Sequence, residues 1–174
     1  MTTLFDRISN YNLLNYLLPG ALFTVFLETI TEHTITLNNV VIDLFMWYFI
    51  GLVISRVGSL VVEPALRKIG FIERTEYSEY VAATASDRQI QVLLEASNMY
   101  RTLLALFAVL FVVKITEPII LRFGVTNNVM HYAGLGALMI LFAVSYRKQT
   151  RYIVRRVKIA IGESEAPGRP ATLT

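Results

Sequence analysis

Residues 10–27 read "NYNLLNYLLPGALFTVFL", and what this stretch is decides what class of protein the chain can be. It belongs to a longer run, Ile8 to Leu27, without a single Asp, Glu, Lys or Arg. A second such run extends from Phe123 to Tyr146. The hydrocarbon core of a bilayer is about 30 Å thick, and a helix rises about 1.5 Å per residue, so about twenty such residues cross it. Composition agrees. The chain is 55% hydrophobic and 17% charged, with a mean hydropathy of +0.53, where soluble domains carry roughly a quarter charged residues. Arg7 precedes the first run as a basic residue would precede an export signal. However, the exit reads Val25-Phe26-Leu27-Glu28-Thr29-Ile30 and lacks the small residues a signal peptidase needs. The stretch is therefore expected to be an uncleaved span.

Two further apolar runs follow, each tolerating charge: Leu44 to Val62 holds Arg56, and Thr102 to Val113 leads into Lys114, Glu117 and Pro118. The expected fold class is all-α, an integral membrane protein with four transmembrane helices at about 10–28, 44–62, 102–118 and 129–146. The basic residues orient it, since loops rich in Lys and Arg stay in the cytoplasm. Segment 28–43 has Glu28, Glu32 and Asp43 and no Lys or Arg, and segment 114–128 has only Lys114 and Arg122. The remaining basic residues fall at Arg7, at Arg56, within 67–101 and from Arg147 onward. Both termini and segment 63–101 are thus expected in the cytoplasm. Residues 1–162 form one membrane domain, with 163–174, "ESEAPGRPATLT", as a flexible tail.

Segment 63–101 is too short for a core of its own and reads as a cytoplasmic helical stalk. Ser86 is expected to cap a helix start, with Gln89 reaching back to it. No Pro or Gly interrupts from Asp87 to Val113, so one helix of about 27 residues, roughly 40 Å, is expected to run from the stalk into the third span. Glu73, Glu76 and Glu79 recur every third residue and would share a face if helical, either as a solvated face or as an acidic dock for a cytosolic partner. After the last span, "RKQTRYIVRRVKIAIG" forms a basic amphipathic helix over 147–161. Arg147, Lys148, Arg151, Arg155 and Lys158 gather within about 100° of arc. Anionic lipid attracts such a face, and Arg151, Arg155, Arg156 and Lys158 are also candidates for docking a partner. Tyr152 is nearly alone as an aromatic there, so direct nucleic-acid contact is not expected.

Catalytic chemistry finds no foothold. There is no cysteine, no phosphate-binding glycine loop and no serine-nucleophile elbow. His33 and His131 lie away from any carboxylate pair with ligand spacing, so neither a metal nor another cofactor is expected. The intramembrane charges Arg56, Lys114 and Glu117 are candidates for function. Arg56 either snorkels to the inner head groups or faces a helix or subunit interface, paired with a backbone carbonyl or Glu63. Lys114 and Glu117, three apart, can pair, either as snorkelling groups or as a ring at a pore mouth. Gly134 and Gly136 mark a small-residue face suited to close helix packing in lipid. Pro19 and Gly20 are hinge candidates, because proline removes a helix hydrogen bond.

The signature "YNLLNYLLPGALF", Tyr11 to Phe23, together with size and layout, resembles the membrane subunit of the Kiwa anti-phage system. The resemblance implies a bacterial inner-membrane homo-oligomer, a tetramer, that senses attack at the envelope and works with a cytosolic DNA-binding effector protein. On that basis the chain is expected to be a non-enzymatic sensor or scaffold. The competing expectation is an oligomeric pore that depolarises the membrane of an infected cell. An assembly subunit of a transporter is a third, weaker expectation.

Overall fold

Long apolar runs with few breakers satisfy their backbone groups internally as helices, and the described residues of this chain do so almost throughout. A computed structural model describes residues 4–32, 34–73, 77–124 and 126–160, and these contain helices and short connections but no strand. Helix α1 is Leu4–Ile30. Helix α2, Val40–Val57, passes through a π-helical turn, Gly58–Val62, into α3, Glu63–Lys68, making one rod. Helix α4 is Tyr77–Ser86, α5 is Arg88–Phe123 and α6 is Asn127–Ala160. Three helical stretches, Val40–Lys68, Gln89–Ile120 and Asn128–Ile159, are long and apolar enough to cross a membrane, and α1 adds a shorter apolar stretch, Asn15–Ile30.

Local chemistry sets the boundaries, and several differ from expectation. Ser86 closes α4 instead of capping α5. The cap is Asp87, whose Oδ1 accepts from the Gln89 backbone N–H at 2.8 Å; a short acidic side chain satisfies an orphan first-turn donor well. The helix expected over Asp87–Val113 is longer at its far end: α5 has 36 residues and passes through Pro118. The rod stops at Lys68, where Gly70 takes a positive φ of 73° that glycine adopts without steric cost. Glu73 lies in the connection before α4, Glu79 in the first turn of α4, and Glu76 outside the described residues. The acidic repeat is therefore not carried by a single helix. The fourth apolar run and the basic segment are one helix, unbroken to Ala160, while residues 161–174, including the tail, lie outside the described residues.

The core forms where α1, α2 and α5 meet, around Phe23, Leu27, Ile54, Ala105, Leu106 and Leu110. Two glycines bring the α1 and α2 backbones together. A Cβ on Gly20 would lie 1.7 Å from the Trp47 carbonyl oxygen, and one on Gly51 would lie 1.8 Å from that of Tyr16. Each helix thus offers a hydrogen where the other presents backbone. Pro19 is fully buried beside this contact, within an unbroken α1. Buried Thr24 and Thr102 return their hydroxyls to the carbonyls of Gly20 and Asn98, at 3.1 and 2.8 Å, as hydroxyls in an apolar helix pair must.

The π-helical turn has a cause in the sequence. Pro64 lies two residues past its end, at the start of α3, and has no N–H to give the Leu60 carbonyl, against which its ring would also clash. The chain widens by one residue there, and the Glu63 N–H bonds to the Gly58 carbonyl instead.

Candidate functional site

The strongest concentration of charge lies where the rod, α5 and α6 converge. Gly58 lets α5 approach: a Cβ there would stand 3.2 Å from the Arg101 carbonyl oxygen and 3.3 Å from the Ala105 Cβ. That approach places Arg101 beside Glu63, with its guanidinium 2.8 Å from Oε2. Arg67, one turn along the rod, pairs with the other carboxylate oxygen. From α6, Lys148 donates to both the carbonyl and the hydroxyl of Ser59, each at 2.7 Å, and stands 4.0 Å from Glu63 Oε2. One carboxylate, 14% exposed, thus joins three chain segments. It is screened far less than an open-surface ion pair.

Beside this junction runs a groove of about 280 Å³ between the rod and α6. Its charged lining is Glu63 against Arg67, Lys148, Arg151 and Arg155. Cations outnumber the carboxylate, and that carboxylate is already engaged by Arg67 and Arg101. At one end Leu60 and Val144 make the wall apolar. Tyr152 also lines the groove and packs against Tyr77 of α4 with ring centroids 5.7 Å apart. A smaller recess adjoins it, lined in part by Arg56 and Ser145. The Ser145 hydroxyl and the Arg101 Nε are buried without a hydrogen-bond partner among the described residues. The groove therefore holds surplus positive charge, an arrangement able to receive an anion.

The candidates from the sequence are distributed unevenly about it. Arg151 and Arg155 line the groove, whereas Arg156 and Lys158 are exposed and do not. Arg56 makes no hydrogen bond or ion pair with another described residue. The carboxylate expected for it, Glu63, is held by Arg67 and Arg101 instead. Lys114 and Glu117 pair as expected, at 2.8 Å. Lys114 also donates to the Ile30 carbonyl oxygen at 2.8 Å, a cation closing the carbonyl end of α1. Glu28 and Asp43 organise the connection there: Glu28 accepts from the Ile35 and Thr36 N–H groups, and Asp43 from that of Leu37. Glu73 and Glu79 are exposed. A Cβ on Gly134 or Gly136 would meet nothing within 4 Å, so their small face is open in the single chain. No group of three or more His, Asp or Glu able to hold a metal occurs among the described residues.

Sequence reading missed Ser59, Arg101 and the bridging part of Lys148. The available signal was Gly58-Ser59 shortly before Glu63-Pro64, a helix interruption beside a carboxylate in an apolar run. No family model matches this chain, and neither does any curated protein or solved structure.

Proposed function

We propose that this chain is a non-enzymatic inner-membrane sensor and scaffold of bacterial anti-phage defence. It crosses the membrane four times with both termini inside, assembles into a homo-oligomer, and docks a cytosolic DNA-binding protein. One observation carries the reading: the bundle has two chemically different ends. At one, Glu28, Asp43 and the Lys114–Glu117 pair surround the α1–α2 connection. At the other, Arg67, Arg101, Lys148, Arg151 and Arg155 gather around a single carboxylate. Lys and Arg concentrate on the cytoplasmic side of membrane proteins, so the cationic end is the inner one. There Arg67, Arg101, Lys148 and the exposed basic stretch of α6 form a fixed platform for a partner.

Assembly is supported by α6. Only 6% of its apolar stretch is buried, against 22% for the rod, and the Gly134–Gly136 face is open. Small residues let helices of neighbouring subunits approach closely in lipid. The resemblance of Tyr11–Phe23 to the Kiwa membrane subunit supplies the tetramer and the kind of partner. Sensing requires two states that the membrane weights differently. Pro19 and Gly20 are the proposed hinge, and phage protection by a Pro19→Ala variant tests it, since undiminished protection with normal expression removes that role.

The reading is tested by purifying the tagged chain from native membranes in mild detergent, with native sizing and mass spectrometry of what accompanies it. A stoichiometric DNA-binding protein on a ring of chains is the expected result. A lone ring that conducts ions in reconstituted bilayers sinks it and leaves the pore as the better account.

A further inference from the structure

The groove between the rod and α6 is graded along its length. Because Ser59 of the rod meets Lys148 of α6, and the more C-terminal Glu63 and Arg67 line the groove with Arg151 and Arg155, the two elements run side by side in the same direction. Val144 and Leu60 wall the end nearer the apolar stretches, Lys148 stands in the middle, and Arg67, Arg151 and Arg155 occupy the far end. From Val144 to Arg155 the helix advances about 16 Å, close to the length of a phospholipid headgroup with its glycerol and the first part of its chains. The charged lining of four cations includes only one carboxylate, and that group is bridged within the protein. Ser145, whose buried hydroxyl has no hydrogen-bond partner among the described residues, lines the adjoining recess that Lys148 and Tyr152 share with the groove. Basic recesses between membrane helices on the cytoplasmic side suit anionic lipid headgroups.

We propose that the groove formed by Ser59, Glu63 and Arg67 of the rod and Lys148, Arg151 and Arg155 of α6 is a seat for the phosphate of an anionic phospholipid, its chains lying along Leu60 and Val144. The inference rests on the membrane placement of the rod and α6 proposed above, and is independent of the partner. The bridged Glu63 keeps the cations fixed and spaced, and its charge admits phosphate while leaving a net attraction. Bound lipid would join α6, which the single chain holds loosely, to the α1–α2–α5 core. Lipid composition would then set how firmly α6 is fixed.

The test uses the full chain purified in neutral detergent, exchanged with phosphatidylglycerol, with phosphatidylcholine, or with inorganic phosphate alone, and read by native mass spectrometry. The wild type is expected to retain phosphatidylglycerol selectively. Arg151→Ala with Arg155→Ala should weaken retention about thirtyfold, from two charges at about 1 kcal/mol each. Arg156→Ala with Lys158→Ala, equal in charge change but off the groove, should leave retention within about twofold. Val144→Trp, which keeps every charge and fills the apolar end, should also lose the lipid, so a misfolded arginine variant does not decide the matter. Equal losses from the two double variants, or equal retention of phosphatidylcholine, would overturn the seat. Binding of inorganic phosphate without phosphatidylglycerol would overturn the lipid assignment. A wild-type chain released from membranes without detergent would instead overturn the membrane placement beneath it.

Discussion

At Gly20 and Gly51 hydrogen is the only side chain that fits. The Cβ of alanine would fall 1.7 or 1.8 Å from a carbonyl oxygen of the facing helix, and backbone cannot move aside as a flexible side chain can. Gly20→Ala and Gly51→Ala are each expected to cost about 1–3 kcal/mol, the usual penalty of overpacking, seen as a lower midpoint of thermal unfolding in detergent. Gly134→Ala and Gly136→Ala, with nothing within 4 Å, should leave the monomer's midpoint in place and act only on subunit contact. If all four behave alike, the reciprocal glycine contact is not what joins α1 to α2. The sequence exposed part of this: Pro19-Gly20 stood out as a break and Gly134-Gly136 as a packing face. Gly51 did not stand out, because its role depends on the register of α2 against α1, which no local pattern encodes.

At the scale of elements, caps and interruptions decided what could be read. The start of α5 was legible to within one residue, and the error is instructive: Ser86 and Asp87 are both good capping residues, but Ser86 was already inside α4. Asp87→Ala is expected to destabilise the first turn of α5 by about 1 kcal/mol, while Ser86→Ala changes little, and amide hydrogen exchange over residues 88–92 measures the difference. Equal effects would restore Ser86 as the cap. The π-helical turn and the extension through Pro118 were not legible: a widening by one residue leaves the apolar pattern of the run unchanged, and a proline reads as a helix stop although α5 continues past it to Phe123. The charge-free belts are also informative. Asp43 to Arg56 and Arg101 to Lys114 are each thirteen residues apart, about 20 Å of helix, shorter than a bilayer core of about 30 Å. Long basic side chains such as Lys114, already bonded at 2.8 Å to the Ile30 carbonyl oxygen, can bridge that deficit by reaching toward the head groups.

For the whole molecule, the helical class and its apolar stretches were evident in the sequence because both are written in local composition. The charged junction and the groove beside it were not, because they depend on contacts that join Glu63 to Arg101 across 38 positions and Ser59 to Lys148 across 89. The proposed function stands on four helices crossing the membrane with the cationic end inside. The chain contains no cysteine, so single-cysteine variants report cleanly on sidedness. Thr2→Cys, Asn38→Cys, Ser97→Cys and Gln149→Cys are to be treated in intact spheroplasts with a membrane-impermeant maleimide, before and after permeabilisation. Labelling of Asn38→Cys alone is expected in intact spheroplasts, and of all four variants after permeabilisation. Labelling of Thr2→Cys together with Asn38→Cys would mean that α1 does not cross, and labelling of Ser97→Cys or Gln149→Cys before permeabilisation would place the cationic groove outside; either result would overturn the proposed topology.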